Sequence, residues 1–182
     1  KNVKSERQLQ ILDVAKRLFL HHGFQKVTLG DIANEAGVSR PTVYQAFPNK
    51  EEIFKALIEV YQEESLERIQ QLRDKKSSAR GKIEEAVEIW IIETFEILHS
   101  SPEAREMLDC TFGFAAETTD AGYVAFESEI TTFLDEEKFS GRLSNRELAH
   151  FLVVSMRGFK GQAEDVAELR KLIGNLLALA FE

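Results

Sequence analysis

The stretch "GVSRPTVYQAFPNKEEIF", Gly37 to Phe54, gathers one arginine, one threonine, one tyrosine and one lysine. All four are hydrogen-bond donors, and two are cations. Arg40 can bond a guanine edge or a phosphate, and Thr42 can bond either target or touch a thymine methyl. Tyr44 can give its hydroxyl to a phosphate. Lys50 adds a positive charge beside unpaired backbone N–H groups, which together suit a phosphate. Donors and cations of these types suit non-covalent recognition of a polyanion. Each residue also has a plainer role. Arg40 can be a solvated surface cation, Tyr44 can bury its ring and wet its hydroxyl, and Lys50 can simply begin a helix.

Recognition of this kind needs the donors at fixed positions, and the local sequence predicts the frame. Ser39 is a good N-cap, and Pro41 sits in a first turn, where a missing N–H costs little. Asn49 is a second N-cap, with Glu52 in capping-box spacing. Upstream, Ser5 with Gln8 opens a first helix whose apolar side is Leu9, Ile11, Leu12, Ala15, Leu18 and Phe19, and Gly23 is its stop. Thr28 caps a second helix to about Glu35, with Asp31 at the positive end of its dipole. Gly37 permits a sharp turn. A third helix runs from Ser39 to near Phe47-Pro48, and a fourth from Asn49 to about Leu72. Two short helices joined through Ala36-Gly37-Val38, with another packed across them, make a helix-turn-helix. In that motif the second helix enters the major groove.

"DKKSSARG", Asp74 to Gly81, is the linker candidate. Helices are predicted near 82–99, 103–116, 122–138, 145–159 and 163–180, with Ser144 and Glu147 as another capping box. The expected architecture is all-α. A helix-turn-helix domain occupies 1–50, a connecting helix and linker 51–80, and a helical domain 81–182.

Composition agrees. The chain has 182 residues, 43% of them hydrophobic, and a formal charge of −8. Within it, residues 1–50 carry eight lysines and arginines against four acids, a net +4, which leaves −12 on the other 132 residues. A basic segment on an acidic body points to a polyanion met only by the first fifty residues. One cysteine, Cys110, precludes an internal disulfide and fits a reducing cytoplasm. No apolar run is long enough for a membrane span and no secretory signal opens the sequence, so no membrane partner is expected. His21, His22, His99 and His150 show no ligand spacing with cysteine or carboxylates, and there is no phosphate loop or nucleophile elbow. Neither metal nor cofactor nor enzymatic activity is expected.

The stretch from Ile11 to Phe54 closely resembles the DNA-binding domain of the tetracycline-repressor (TetR) family. Ala15, Phe19, Gly23, Thr28, Ile32, Ala33, Ala36-Gly37-Val38-Ser39, Thr42, Tyr44, Phe47 and Lys50-Glu51 carry the resemblance. It implies a dimeric regulator that binds palindromic operator DNA and responds to a small molecule held in a variable helical domain. It implies DNA contacts at Thr28, Arg40, Thr42, Tyr44 and Lys50, with Ser39 and Pro41 fixing the start of the recognition helix. One position departs from the family. Members often carry a histidine or aromatic residue two places after the motif tyrosine, and here that place holds Ala46.

The aromatic-rich middle supplies candidates for an apolar or amphipathic ligand: Trp90, Phe95, Met107, Phe112, Tyr123 and Phe126. For each of them, core packing is the plainer role. Along the last two helices Leu152, Met156, Leu169, Ile173, Leu176 and Leu177 form a wide apolar face. That face is expected to include a homodimer seam, a four-helix bundle about a two-fold axis. The sequence thus reads as a ligand-responsive transcription regulator, of repressor type. The alternative is a helical protein–protein adaptor whose helix-turn-helix no longer binds DNA.

Overall fold

The computed structural model describes residues 4–139 and 142–181, with the side chains of Asp109 and Phe112 also outside the description. Ten α-helices and no strand occur among the described residues: α1 Glu6–His22, α2 Leu29–Glu35, α3 Arg40–Ala46, α4 Lys50–Gln70, α5 Ala79–Val87, α6 Glu93–Leu98, α7 Pro102–Phe112, α8 Ala116–Glu136, α9 Asn145–Gln162 and α10 Val166–Ala180. A 3₁₀ turn, Gln71–Asp74, follows α4, and a π turn, Glu88–Ile92, joins α5 to α6.

The chain divides into two compact units. The first holds residues up to Tyr61 together with Leu98–Thr119, and the second holds Gln62–Ile97 with the residues from Asp120 onward. The first unit is therefore discontinuous, and α7, assigned to the second domain on sequence grounds, lies within it.

In the first unit every short helix starts on a side-chain cap. Ser5 and Gln8 close a capping box on α1, Thr28 and Asp31 close one on α2, and the Ser39 hydroxyl accepts from the Thr42 N–H at the head of α3. These bonds satisfy donors that a helix N-terminus leaves without partners. α1 stops at Gly23 (φ +84°), whose N–H donates to the Phe19 carbonyl. A Cβ there would also come within 2.6 Å of Glu106 Oε2 on α7, so both backbone and space require glycine. Gly37 (φ +64°) makes the turn between α2 and α3. Ile11, Phe19, Phe24, Val43, Ile53 and Phe54 form the core, and Leu98, Met107, Cys110 and Ala115 complete it from the second stretch of chain.

In the second unit the helix expected over 82–99 is interrupted by the π turn, where the Glu93 N–H donates to the Glu88 carbonyl five residues back. Ile89, Trp90, Ile91 and Ile92 are all buried, four in succession. A helix that is apolar on all sides is one enclosed by its neighbours. Trp90 stacks on Phe126 at 5.2 Å and 4°, and Tyr123 meets it edge-on at 6.1 Å. The linker is shorter than expected. Arg73 ends in two bonds to Glu129 (2.6 and 3.1 Å), and its carbonyl accepts from Lys82 (3.0 Å). Only 75–78 lie outside helical turns, because Ser78 caps α5. Glu129 and Lys82 are themselves buried. α10 starts later than expected, at Val166, because Asp165 accepts from the Glu168 N–H and fixes the cap there.

Leu152, Met156, Leu169, Ile173, Leu176 and Leu177 are buried in this unit's own core, so they have little area left to give a partner subunit. The wide apolar face of α9 and α10 is filled from within, by α5, the π turn and α8 among others. Phe151, Val154 and Leu179, each more than half exposed, are the large apolar residues that α9 and α10 leave in solvent. No helix among the described residues is long and apolar enough to cross a membrane.

Candidate nucleic-acid interface

The first unit presents its polar donors on the α2–turn–α3 frame. Thr28, Ser39, Arg40, Pro41 and Tyr44 are exposed, and Thr42 is half-buried. Tyr44 is 56% exposed, so its ring is not part of the core. Val43 and Phe47, on the opposite side of α3, are buried and hold that helix down. Gln10 of α1 donates to the Ala36 carbonyl at 3.0 Å, tying the turn to the first helix. Ala46 is half-buried at the last position of α3.

The helix caps limit what three candidates can offer. The Thr28 N–H and hydroxyl both donate to Asp31 Oδ2, at 2.8 and 2.7 Å. These two bonds, the hydroxyl's first, hold the Asp31 carboxyl below its ordinary range, and the nearby Arg40 charge adds to the effect. Ser39 Oγ lies 2.8 Å from Thr42 Oγ1, so one of the two hydroxyls donates to the other. Each hydroxyl still has lone pairs, and a rotation frees a proton for an outside acceptor.

Lys50 is placed differently from a free cation at a helix head. Its ammonium donates to the Phe24 carbonyl at 2.6 Å and the Gln25 carbonyl at 3.3 Å, and sits 4.4 Å above the Phe24 ring. A cation beside a helix N-terminus is unfavourable, and these carbonyls and the ring offset that cost. Two of its three N–H bonds are thereby occupied. Phe24 in turn packs on Phe54 (5.3 Å) and on Phe114 (5.3 Å), and Phe114 packs on Phe54 (5.6 Å). Phe114 belongs to the turn after α7. It is invisible to local reading, because its partners lie 60 and 90 residues away in sequence.

The ligand candidates are not brought into one group. Trp90, Tyr123 and Phe126 touch in the second unit, and Phe95 is buried in the same unit's core. Met107 is buried in the first unit's core. The Phe112 side chain lies outside the described residues. Beside the aromatic group, Arg157 places its guanidinium 4.7 Å over the Tyr123 ring and pairs with Asp120 at 2.6 Å. Burial pushes the Tyr123 hydroxyl up to about 12. Burial and the neighbouring Arg157 lower Lys160 to about 8. Among the described residues no group of three or more histidine, cysteine or acidic side chains is placed to hold a metal.

Known proteins share this arrangement. Residues 11–57 match the family model described as "Bacterial regulatory proteins, tetR family". YfiR of Bacillus subtilis, an uncharacterized HTH-type transcriptional regulator, is 36% identical over 77 residues, 42% of this chain and 38% of YfiR. The chain thus spans well under half of that relative. ComR of Escherichia coli K12, an HTH-type transcriptional repressor, is 26% identical over 89% of this chain and 81% of its own length. Among solved structures, Thermus thermophilus FadR, a TetR-family repressor crystallised with lauroyl-CoA, superposes with a TM-score of 0.68 at 18% identity. That likeness covers 96% of this chain and 93% of FadR. The sequence match covers the helix-turn-helix and the fold likeness extends over nearly all the rest: residues 11–57 are a DNA-binding segment of the tetR family of bacterial regulatory proteins, and the chain around them has the fold of that family's solved members.

Proposed function

We propose that the chain is a transcriptional repressor that binds a palindromic operator as a homodimer and releases it on binding an apolar or amphipathic small molecule. The observation that carries this reading is the exposed set Thr28, Arg40 and Tyr44, with Thr42 between the last two, on a frame fixed by Gly37 and three side-chain caps. Arg40 and Thr42 contact bases. Thr28, Tyr44 and the third N–H of Lys50 contact phosphates. ComR is a repressor and FadR holds an acyl thioester, and both support the same two-part function here. The ligand sits against Trp90, Tyr123 and Phe126. The dimer seam uses the outer faces of α9 and α10 at Phe151, Val154 and Leu179, in place of the inner face.

Enrichment of bound sequences from a random DNA pool tests the reading. The wild type should select a palindrome whose half-sites lie about one helical turn apart. Arg40→Ala should bind that site more weakly by about 1–3 kcal/mol for each half-site and relax one base position. Tyr44→Phe should weaken all sequences alike. A wild type that selects no sequence overturns the proposal and favours an adaptor role.

A further inference from the structure

Gly30 lies within α2, and its φ is outside the region that favours glycine. Inside a helix, glycine is destabilising by roughly 0.5–1 kcal/mol relative to alanine. The backbone therefore gives no reason for this residue, unlike Gly23 and Gly37. The reason is spatial. A Cβ on Gly30 would sit 3.0 Å from Arg40 Nη2, 3.2 Å from Cζ and 3.2 Å from Nε. Three atoms of a planar group at nearly one distance mean that the guanidinium lies flat on the bare face of residue 30. We infer that Gly30 is the platform that aims Arg40, and so a specificity-determining position that itself touches no base. The inference rests on the DNA-reading function proposed above.

Arg40 is the first residue of α3, and its side chain reaches back over the first turn of α2. There its charge is felt by Asp31, the acid that closes the Thr28 cap. The first turn of one helix thus orients the first side chain of the next. An arginine free in solvent samples many rotamers and loses that freedom on binding. One already laid on a surface loses less, and it offers its planar fork in one direction. A methyl group at residue 30 requires a shift of only a few tenths of an ångström, which a flexible side chain accommodates. A branched side chain occupies the place of the guanidinium and sends it elsewhere.

The test compares wild type, Gly30→Ala, Gly30→Leu, Arg40→Ala and the Gly30→Leu/Arg40→Ala double variant in random-pool enrichment and in titrations on the selected site. Leucine is a good helix former with no hydrogen-bonding group, so it brings no polar interaction of its own. Circular dichroism and thermal unfolding should show every variant folded. Gly30→Ala should keep the wild-type preference. Gly30→Leu should relax the same base position as Arg40→Ala and lower affinity for the selected site by roughly 5- to 100-fold, leaving random DNA less affected. The double variant should bind no more weakly than Arg40→Ala alone, because both changes remove the same arginine–base interaction. An unchanged preference in Gly30→Leu overturns the inference, as do losses that multiply in the double variant. A wild type that selects no sequence is a different result: the DNA-reading function then falls, and this inference with it.

Discussion

The two units handle charge in opposite ways. In the first, most ion pairs sit at the surface, as in Arg17–Asp13, Arg17–Glu35 and Lys55–Glu52. Exposed pairs of this kind contribute about 0–1 kcal/mol each. In the second, Glu129 and Lys82 are buried and bonded, Glu129 to Gln70 and Arg73, and Lys82 to Glu136 and the Arg73 carbonyl. The first unit keeps Arg7, Lys16, Arg17, Lys26 and Arg40 outward, where a polyanion can meet them. The second turns two charged groups inward to fasten the crossing from α4 to α5. One group breaks the pattern: Glu106 in the first unit has a buried Oε2 with no hydrogen-bond partner, close against Gly23.

The sharpest contrast is between two phenylalanines. Phe126 is fully buried and stacked on Trp90, whereas Phe114 is 38% exposed although it meets two rings. Phe126→Ala should cost about 3–5 kcal/mol in urea unfolding. Phe114→Ala should cost about 1–2 kcal/mol, mostly its aromatic packing. Equal losses would mean that the first unit's aromatic cluster is as dry as the second unit's core.

A smaller effect concerns the buried ion pair. Arg73 is 40% exposed and Glu129 only 7%. Removing the arginine strands a buried carboxylate, while removing the carboxylate leaves an arginine that water can reach. Arg73→Leu should therefore cost about 3 kcal/mol, and Glu129→Gln distinctly less, by thermal or chemical unfolding. The reverse order would show that Gln70 alone satisfies Glu129.

A further effect is one of pH. Lys160 has its pKa lowered to about 8 from an ordinary value of 10.5, because burial and Arg157 disfavour its charge. The unfolded chain therefore binds the extra proton between those values, and stability should rise with pH across that window. Below about 8 the penalty is fully present. Lys160→Met should raise the melting temperature at pH 7, and its advantage should fade as pH approaches 10.5. An advantage that persists undiminished at pH 10.5 would assign the gain to packing instead of charge.

The parts of this architecture that sequence reveals are those written at short range. Ser5 with Gln8, Thr28 with Asp31, Ser39 with Thr42 and Ser144 with Glu147 each bond a neighbour three residues on, so spacing alone locates the helix starts. The exposed array on α3 is legible for the same reason. What spacing does not encode is the identity of a distant partner. The apolar face of α10 is visible as a pattern, but whether it meets its own core or another subunit depends on α5 and the π turn, about eighty residues earlier. Lys50 is visible as a cation at a helix head, yet its carbonyl partners lie 25 and 26 residues upstream. Gly30 reads as a weak helix residue until Arg40 is seen lying on it.

The split of the first unit into two stretches bears on how the protein is made. The helices that carry the family match leave the ribosome before Leu98, Met107, Cys110 and Ala115, which complete their core and come much later. At about 5–20 residues per second, the delay between Phe54 and Ala115 is on the order of 3–12 s. During that time the nascent helix-turn-helix exposes apolar surface that α7 will cover. A chaperone that binds apolar segments has its opportunity then, and a message broken anywhere before the codon for Thr119 yields an unfinished head. The matched segment is shorter than the unit that folds, so grafting residues 11–57 onto another body would transplant a recognition surface without its floor.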